Sequence, residues 1–183
     1  MASLEPIVIS NWSPMWERSF RAKAEAIRAA LGPLAIRIDH IGSTSVNGLA
    51  AKPIIDIQVS VKAFDPIESL VSPLERCGYT WRSTNAERTK RYFRERPGTE
   101  RTHIHVRLSG SWHEQWALLF RDYMRTHPSE QAAYAALKMD LAQRHRNDRK
   151  AYTDGKDDFL WGVIRRADQW AAVTGWEPSE TDA

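Results

Sequence analysis

Two short stretches of alternating residues hold most of the side chains that could do chemistry. Successive side chains of a strand point to opposite faces. In residues 54–61 this puts Ile55, Ile57, Val59 and Val61 on one face and Ile54, Asp56, Gln58 and Ser60 on the other. In residues 101–108, Thr102, Ile104, Val106 and Leu108 share one face, while Arg101, His103, His105 and Arg107 share the other. A sheet face with an aspartate, two histidines and two arginines suits a metal-assisted phosphate site. The carboxylate is a hard ligand for a divalent cation, imidazole a ligand or proton carrier, and guanidinium a partner for phosphate oxygens. A solvated face of an antiparallel sheet alternates in the same way, so parity alone leaves both readings open. Just before the first stretch runs His40-Ile41-Gly42-Ser43-Thr44-Ser45. Gly42 lets the chain turn closely, and backbone N–H groups with the Ser43 and Thr44 hydroxyls can converge there on an anion.

Other chemistries fail on spacing. No Gly-x4-Gly-Lys-Ser/Thr loop is present, and Gly155-Lys156 is followed by Asp157. His113-Glu114 is followed by Ala117 where a zinc protease needs histidine, and no Gly-x-Ser-x-Gly elbow occurs. Cys77, beside Gly78, reads as a core residue at a helix end.

The elements that must position these residues follow from periodicity. A short edge strand is expected at residues 7–9. Ser13-Pro14 reads as a helix start, and Trp16, Phe20, Ala24, Ile27 and Leu31 form one apolar helical stripe stopped at Gly32-Pro33. Residues 35–41 and 54–61 read as strands flanking the polar turn. Asp65-Pro66-Ile67-Glu68 resembles a capping box, with Ile67, Leu70, Val71 and Leu74 as the buried side. Residues 91–95 and 101–108 pair as a hairpin around Pro97-Gly98. A second capping box, Ser111-Trp112-His113-Glu114, opens the first of three C-terminal helices, the others at about 128–143 and 154–172. Trp112 and Trp116, one turn apart, are expected to pack into the core, as are most of the eight tryptophans. One domain over residues 1–176 is expected, followed by an acidic tail, 177–183, with the composition of a frayed end.

Composition narrows the class of protein. Apolar residues are 42% of the 183 and charged residues 27%, which excludes whole-chain disorder and allows a real core. A single cysteine excludes an internal disulfide, no apolar run is long enough to span a membrane, and the first twelve residues lack a secretory pattern. A cytoplasmic setting is expected. The net charge is only +3, yet residues 82–107 hold eight basic residues against three acidic ones. A local patch on a nearly neutral chain points to a small anionic ligand more than to nucleic acid.

Residues 40–46 (HIGSTSV) and 48–57 (GLAAKPIIDI) resemble the hallmark stretch of the GrpB family. So do Arg101-Thr102-His103-Ile104-His105-Val106, the segment from Phe120 to Arg125 with His127-Pro128, and Lys156 with Phe159. The resemblance runs from Ile7 to about Trp170. It implies a nucleotidyltransferase-like α+β fold, a mixed β-sheet with packed helices and a C-terminal helical segment. That superfamily marks its site with a Gly-Ser turn, two carboxylates one residue apart on a strand, and a third on a later strand. Gly42-Ser43 matches the turn and Asp56 the first carboxylate. Gln58 stands at the second position and His105 at the third.

Three functions are therefore expected, in this order. The first is a metal-dependent nucleotidyl or related phosphoryl transferase acting on a small molecule. In it Asp56 and His105 are catalytic and hold a divalent metal (magnesium or manganese, with zinc as a further candidate). Gly42, Ser43, Thr44, Lys52, Gln58, Arg101, His103 and Arg107 bind the nucleotide or other phosphate-bearing substrate. The second is a non-catalytic nucleotide- or CoA-type binding module that has lost the carboxylates. An RNA-binding protein using the 82–107 patch ranks last, because only Tyr92 and Phe93 could stack bases there.

Overall fold

The structure is a computed structural model and describes residues 6–183. Ser13 caps the first helix, α1 (Pro14–Leu31): its hydroxyl accepts from the Met15 N–H at 3.2 Å, and Pro14 occupies the first turn, where no N–H is needed. The buried residues of α1 are Trp16, Phe20, Ala24, Ile27 and Leu31, the stripe its periodicity marks. Five strands follow, β1 (Arg37–Ile41), β2 (Ile55–Val61), β3 (Tyr79–Trp81), β4 (Lys90–Glu95) and β5 (Thr102–Leu108), in one sheet of order β1-β2-β5-β4-β3. Only β2 and β5 run parallel. Helix α2 (Glu68–Arg76) lies between β2 and β3. Four helices follow β5: α3 (Trp112–Thr126), α4 (Pro128–Arg144), α5 (Arg149–Asp154) and α6 (Asp157–Thr174).

The sheet separates two apolar regions. Ile55, Ile57, Val59 and Val61 of β2, with Phe93, Ile104 and Val106, pack against α1 and α2 in the main core. A second cluster joins Val46 and Leu49 to Phe120, Tyr123 and Met124 of α3, Tyr134 of α4, and Val163, Ile164 and Ala167 of α6. The fold is therefore α+β, with a mixed sheet and helices on it. No helix is long and apolar enough to cross a membrane.

Several local expectations are corrected. Residues 7–9 are not a strand; Ser10 alone makes a bridge, to Ala51, while the Ile7 N–H is taken by the Arg146 carbonyl. Neither capping box forms. Helix α2 starts at Glu68, and at Ser111 the hydroxyl has no partner while Glu114 Oε2 accepts from the Gly110 N–H at 2.5 Å. Trp112 is 64% exposed, so α3 turns its first tryptophan outward while Trp116 stacks on Phe120. The acidic end, expected to fray, is docked along β1. The Thr181 hydroxyl accepts from the Ile38 N–H and donates to its carbonyl, and an Asp182 oxygen accepts from the His40 N–H at 3.0 Å.

Candidate active site

Parallel pairing of β2 with β5 sets Asp56 opposite His103 and Gln58 opposite His105. Because parity is shared, Asp56, His103 and His105 project from the same sheet face. Asp56 Oδ1 lies 3.2 Å from His103 Nδ1 and 3.3 Å from His105 Nε2. One ligand atom from each of the three falls within 4.8 Å of the others. Gly42 enters the same point from the loop. Its φ of +70° suits glycine, and a Cβ there would sit 2.8 Å from Asp56 Oδ2. The loop can approach the carboxylate only because residue 42 has no side chain.

The electrostatics favour a charged carboxylate beside neutral imidazole. Burial pushes the Asp56 carboxyl up, but hydrogen bonds and charge from His103 and His105 outweigh it and hold the group well below the usual carboxylate range. Burial pushes His105 down against the opposing pull of Asp56, so the ring is uncharged at neutral pH. Two imidazole nitrogens and one carboxylate oxygen are a fitting donor set for a divalent ion of the manganese-to-zinc range.

Two cavities meet at Asp56, and both touch Gly42, Ser43 and Tyr134. The smaller, about 200 Å³, lies on the His103 side and is cationic, lined by Lys52, Lys138 and Lys156 with Tyr152. Lys52 and Lys156 both lie over the Tyr152 ring, at 4.8 and 4.9 Å from its centroid, and Lys138 lies over Tyr134 at 4.4 Å. Lys138 is buried and donates to the Ala50 carbonyl. Among the described residues none of the three forms an ion pair with a carboxylate. Burial, reinforced by their mutual repulsion, lowers Lys138 to about 7 and Lys52 to about 8. The His103 Nε2 is buried beside them without a hydrogen-bond partner. The larger cavity, about 460 Å³, lies on the His105 side and is walled by Trp112, Trp116, Phe120 and Trp161.

The residues singled out in the sequence land unevenly. Asp56, His103, His105, Gly42, Ser43 and Lys52 converge. The Thr44 hydroxyl lines the small cavity but is engaged by His40 Nε2 and the Ile54 carbonyl, both at 3.0 Å. Gln58 shares the face yet is fully buried under α3, its amide donating to the Glu114 carbonyl at 3.3 Å, and it reaches neither cavity. Arg101 sits 3.4 Å from Glu95 and borders a separate depression with Pro53 and Arg149. Arg107 lines the large cavity but is paired with Glu87 at 2.8 Å and with the Thr89 hydroxyl at 3.0 Å. Lys138 is a site residue not expected from the sequence. Its signal was a lysine on the apolar side of α4, spaced with Tyr134 and Leu141, the other buried residues of that helix.

Comparison with known proteins bears on family and fold. The family model of the GrpB protein matches residues 6–166. A UPF0157 protein of Pseudomonas aeruginosa is 42% identical over 157 residues, covering 84% of this chain and 64% of that protein. The UPF0157 protein YqkA of Bacillus subtilis is 35% identical over 90% of this chain and 48% of its own length. A dephospho-CoA kinase of Mycolicibacterium paratuberculosis is 32% identical over 94% of this chain and 49% of its own. This chain thus spans about half to two thirds of these relatives. The crystal structure of GrpB from Enterococcus faecalis superposes with a TM-score of 0.82 at 32% identity, over 89% of this chain and 99% of that one. The RNA terminal uridylyl transferase Cid1 superposes at 0.53 with 16% identity, over 74% of this chain and 42% of that one, a likeness of fold alone. By the family match and these relatives, the chain belongs to the GrpB family, on a nucleotidyltransferase-like fold.

Proposed function

We propose that this protein is a metal-dependent transferase of nucleotidyl or related phosphoryl groups to a small molecule. The observation that carries the reading is one aspartate shared between a three-donor metal cluster and a pocket of three lysines that, among the described residues, form no ion pair with a carboxylate. Asp56 and His105 hold the metal, and His103 completes the set. A divalent cation at this point supplies Lewis-acid polarisation of a phosphoryl oxygen. Lys52, Lys138 and Lys156 bind the polyphosphate chain and neutralise the charge that gathers on the departing phosphates. Gly42 and Ser43 close the loop against the reacting phosphate. The nucleotide-bound states of Cid1 support the same class of ligand by likeness of fold only.

One observation favours a second reading. Gln58 and His105 stand where the superfamily pattern has carboxylates, which leaves Asp56 alone of the three. A module that binds a nucleotide or CoA-type ligand without chemistry would need no more, and relatives named dephospho-CoA kinase carry this region as about half of their length. Calorimetry with manganese and magnesium, with and without a nucleoside triphosphate, separates the two. The transferase reading expects manganese to bind more tightly than magnesium, and Asp56→Ala to weaken it by at least about tenfold. Magnesium, which favours oxygen ligands, binds appreciably only when phosphates complete its shell. If neither metal binds in any combination, or Asp56→Ala binds as well as the parent, the binding-module reading takes its place.

A further inference from the structure

The cavity on the His105 side meets the metal cluster at Asp56 and His105, but its aromatic wall has no part in holding metal or polyphosphate. Its wall is a ladder of rings on α3, Trp112, Trp116 and Phe120, spaced four residues apart, faced by Trp161 of α6. Trp116 and Phe120 are stacked with planes 3° apart, and they support the inner wall. Trp112 and Trp161 stand at the mouth, 64% and 54% exposed. Two indoles left in water beside a cavity of about 460 Å³ suit a planar ring, because stacking is sequence-tolerant and recovers their apolar area.

Position says which part of the reaction the ring belongs to. The cationic cavity touches His103 and the aromatic cavity touches His105, two residues apart on β5, and Asp56 lies between the two. In phosphoryl and nucleotidyl transfer the attacking and leaving oxygens are roughly in line across the phosphorus. A leaving pyrophosphate held by the lysines puts the attacking group on the opposite side, among the tryptophans.

We propose that the acceptor is a small alcohol bearing a planar aromatic or heteroaromatic ring, stacked between Trp112 and Trp161. This rests on the transferase reading above. Its hydroxyl oxygen forms the bond to the α-phosphorus of a nucleoside triphosphate. The α–β phosphoanhydride bond breaks, its electron pair leaves with pyrophosphate, and the hydroxyl proton passes to water.

The test is titration of the protein with aryl alcohols such as 2-phenylethanol and free nucleosides, with glycerol as the ring-free control, followed by tryptophan fluorescence. One arm contains manganese and a non-hydrolysable nucleoside triphosphate, one is metal-free, and a parallel series titrates inorganic tripolyphosphate. The ring-bearing alcohols are expected to bind and glycerol not. Trp112→Ala and Trp161→Ala, both at exposed positions that leave the core intact, should each weaken ring binding about tenfold. Tripolyphosphate binding should be unchanged in both. Equal binding of glycerol and aryl alcohols, or unaltered ring binding in both variants, overturns the proposal. So does a loss confined to the nucleoside triphosphate, which would place the donor's base in this cavity. Failure of tripolyphosphate and metal to bind the parent protein removes the transferase reading instead, and the metal-free arm still reports on the ring site.

Discussion

Lys138 shows how one side chain links stability to ligand. Its amine is lowered to about 7 against an ordinary 10.5, burial being the larger cause and Lys156 and Lys52 the next. Between those values the unfolded chain holds a proton that the folded one releases, so this residue makes stability rise as the pH goes from 7 towards 10. Anion binding runs the other way. A polyphosphate favours the charged amines, so its affinity should fall as the pH rises through 7 to 8, the range of Lys138 and Lys52. Tripolyphosphate calorimetry between pH 6 and 9 checks this. A flat profile would mean the lysines do not hold the anion, and Lys138→Met should make both the affinity profile and the stability slope shallower, with Lys52 left to titrate. The contrast with Asp56, His103 and His105 is instructive. Those three were legible because period-two alternation is rigid and each strand carried its own contrast of faces. Lys138 was not, because its spacing with Tyr134 and Leu141 marks a buried side of α4 without showing that Lys52 and Lys156, from distant parts of the chain, meet it there.

At the scale of elements, apolar stripes were more legible than helix ends. All five stripe residues of α1 are buried, and Phe20, among the largest fully buried side chains, touches both the core and the His40 ring, stacked at 4.7 Å. Phe20→Ala should lower unfolding free energy by about 3–5 kcal/mol, while Trp112→Ala should stay within about 0.5 kcal/mol. Denaturant melts of both variants distinguish the buried stripe from the exposed mouth of the cavity. The capping boxes failed because a local motif competes with tertiary partners. Glu114 is buried beneath the β5–α3 turn and takes the Gly110 N–H instead of that of Ser111. The loop between β1 and β2 is tighter than its composition reveals. Gly42→Ala meets both a positive φ and the Asp56 carboxylate, so it should destabilise the fold by about 1–3 kcal/mol. It should weaken manganese binding as well, since any relief moves either the loop or Asp56. Manganese calorimetry on the folded variant checks the second effect separately from the first.

At the scale of the whole molecule, the helices on the site face leave Asp56, His103 and His105 accessible while covering Gln58 and Ser60. The β1 edge is closed differently, by the chain's own last residues. Thr181 and Asp182 satisfy Ile38 and His40, and Asp182 also reaches the fully buried Arg121 guanidinium at 2.7 Å. Arg121 is further surrounded by Asp39, Asp122, the His40 carbonyl and Ser179. Sequence composition could not reveal this docking, since a short acidic segment reads as solvated until a buried cation is known to face it. The arrangement joins the tail to α3 and to β1, whose His40 holds Thr44 of the site loop. Removing residues 177–183 takes one carboxylate from a buried guanidinium and uncovers strand-edge amides. The loss should be about 2–3 kcal/mol, less than for a buried pair left wholly unpartnered, because Asp39 and Asp122 remain. Hydrogen exchange gives the sharper measurement. The Ile38 and His40 amides should exchange much faster in the truncated chain, while Ile57 and Ile104, deep in the sheet, change only by the global loss. Unchanged exchange at Ile38 and His40 would mean that the tail does not close the β1 edge in solution.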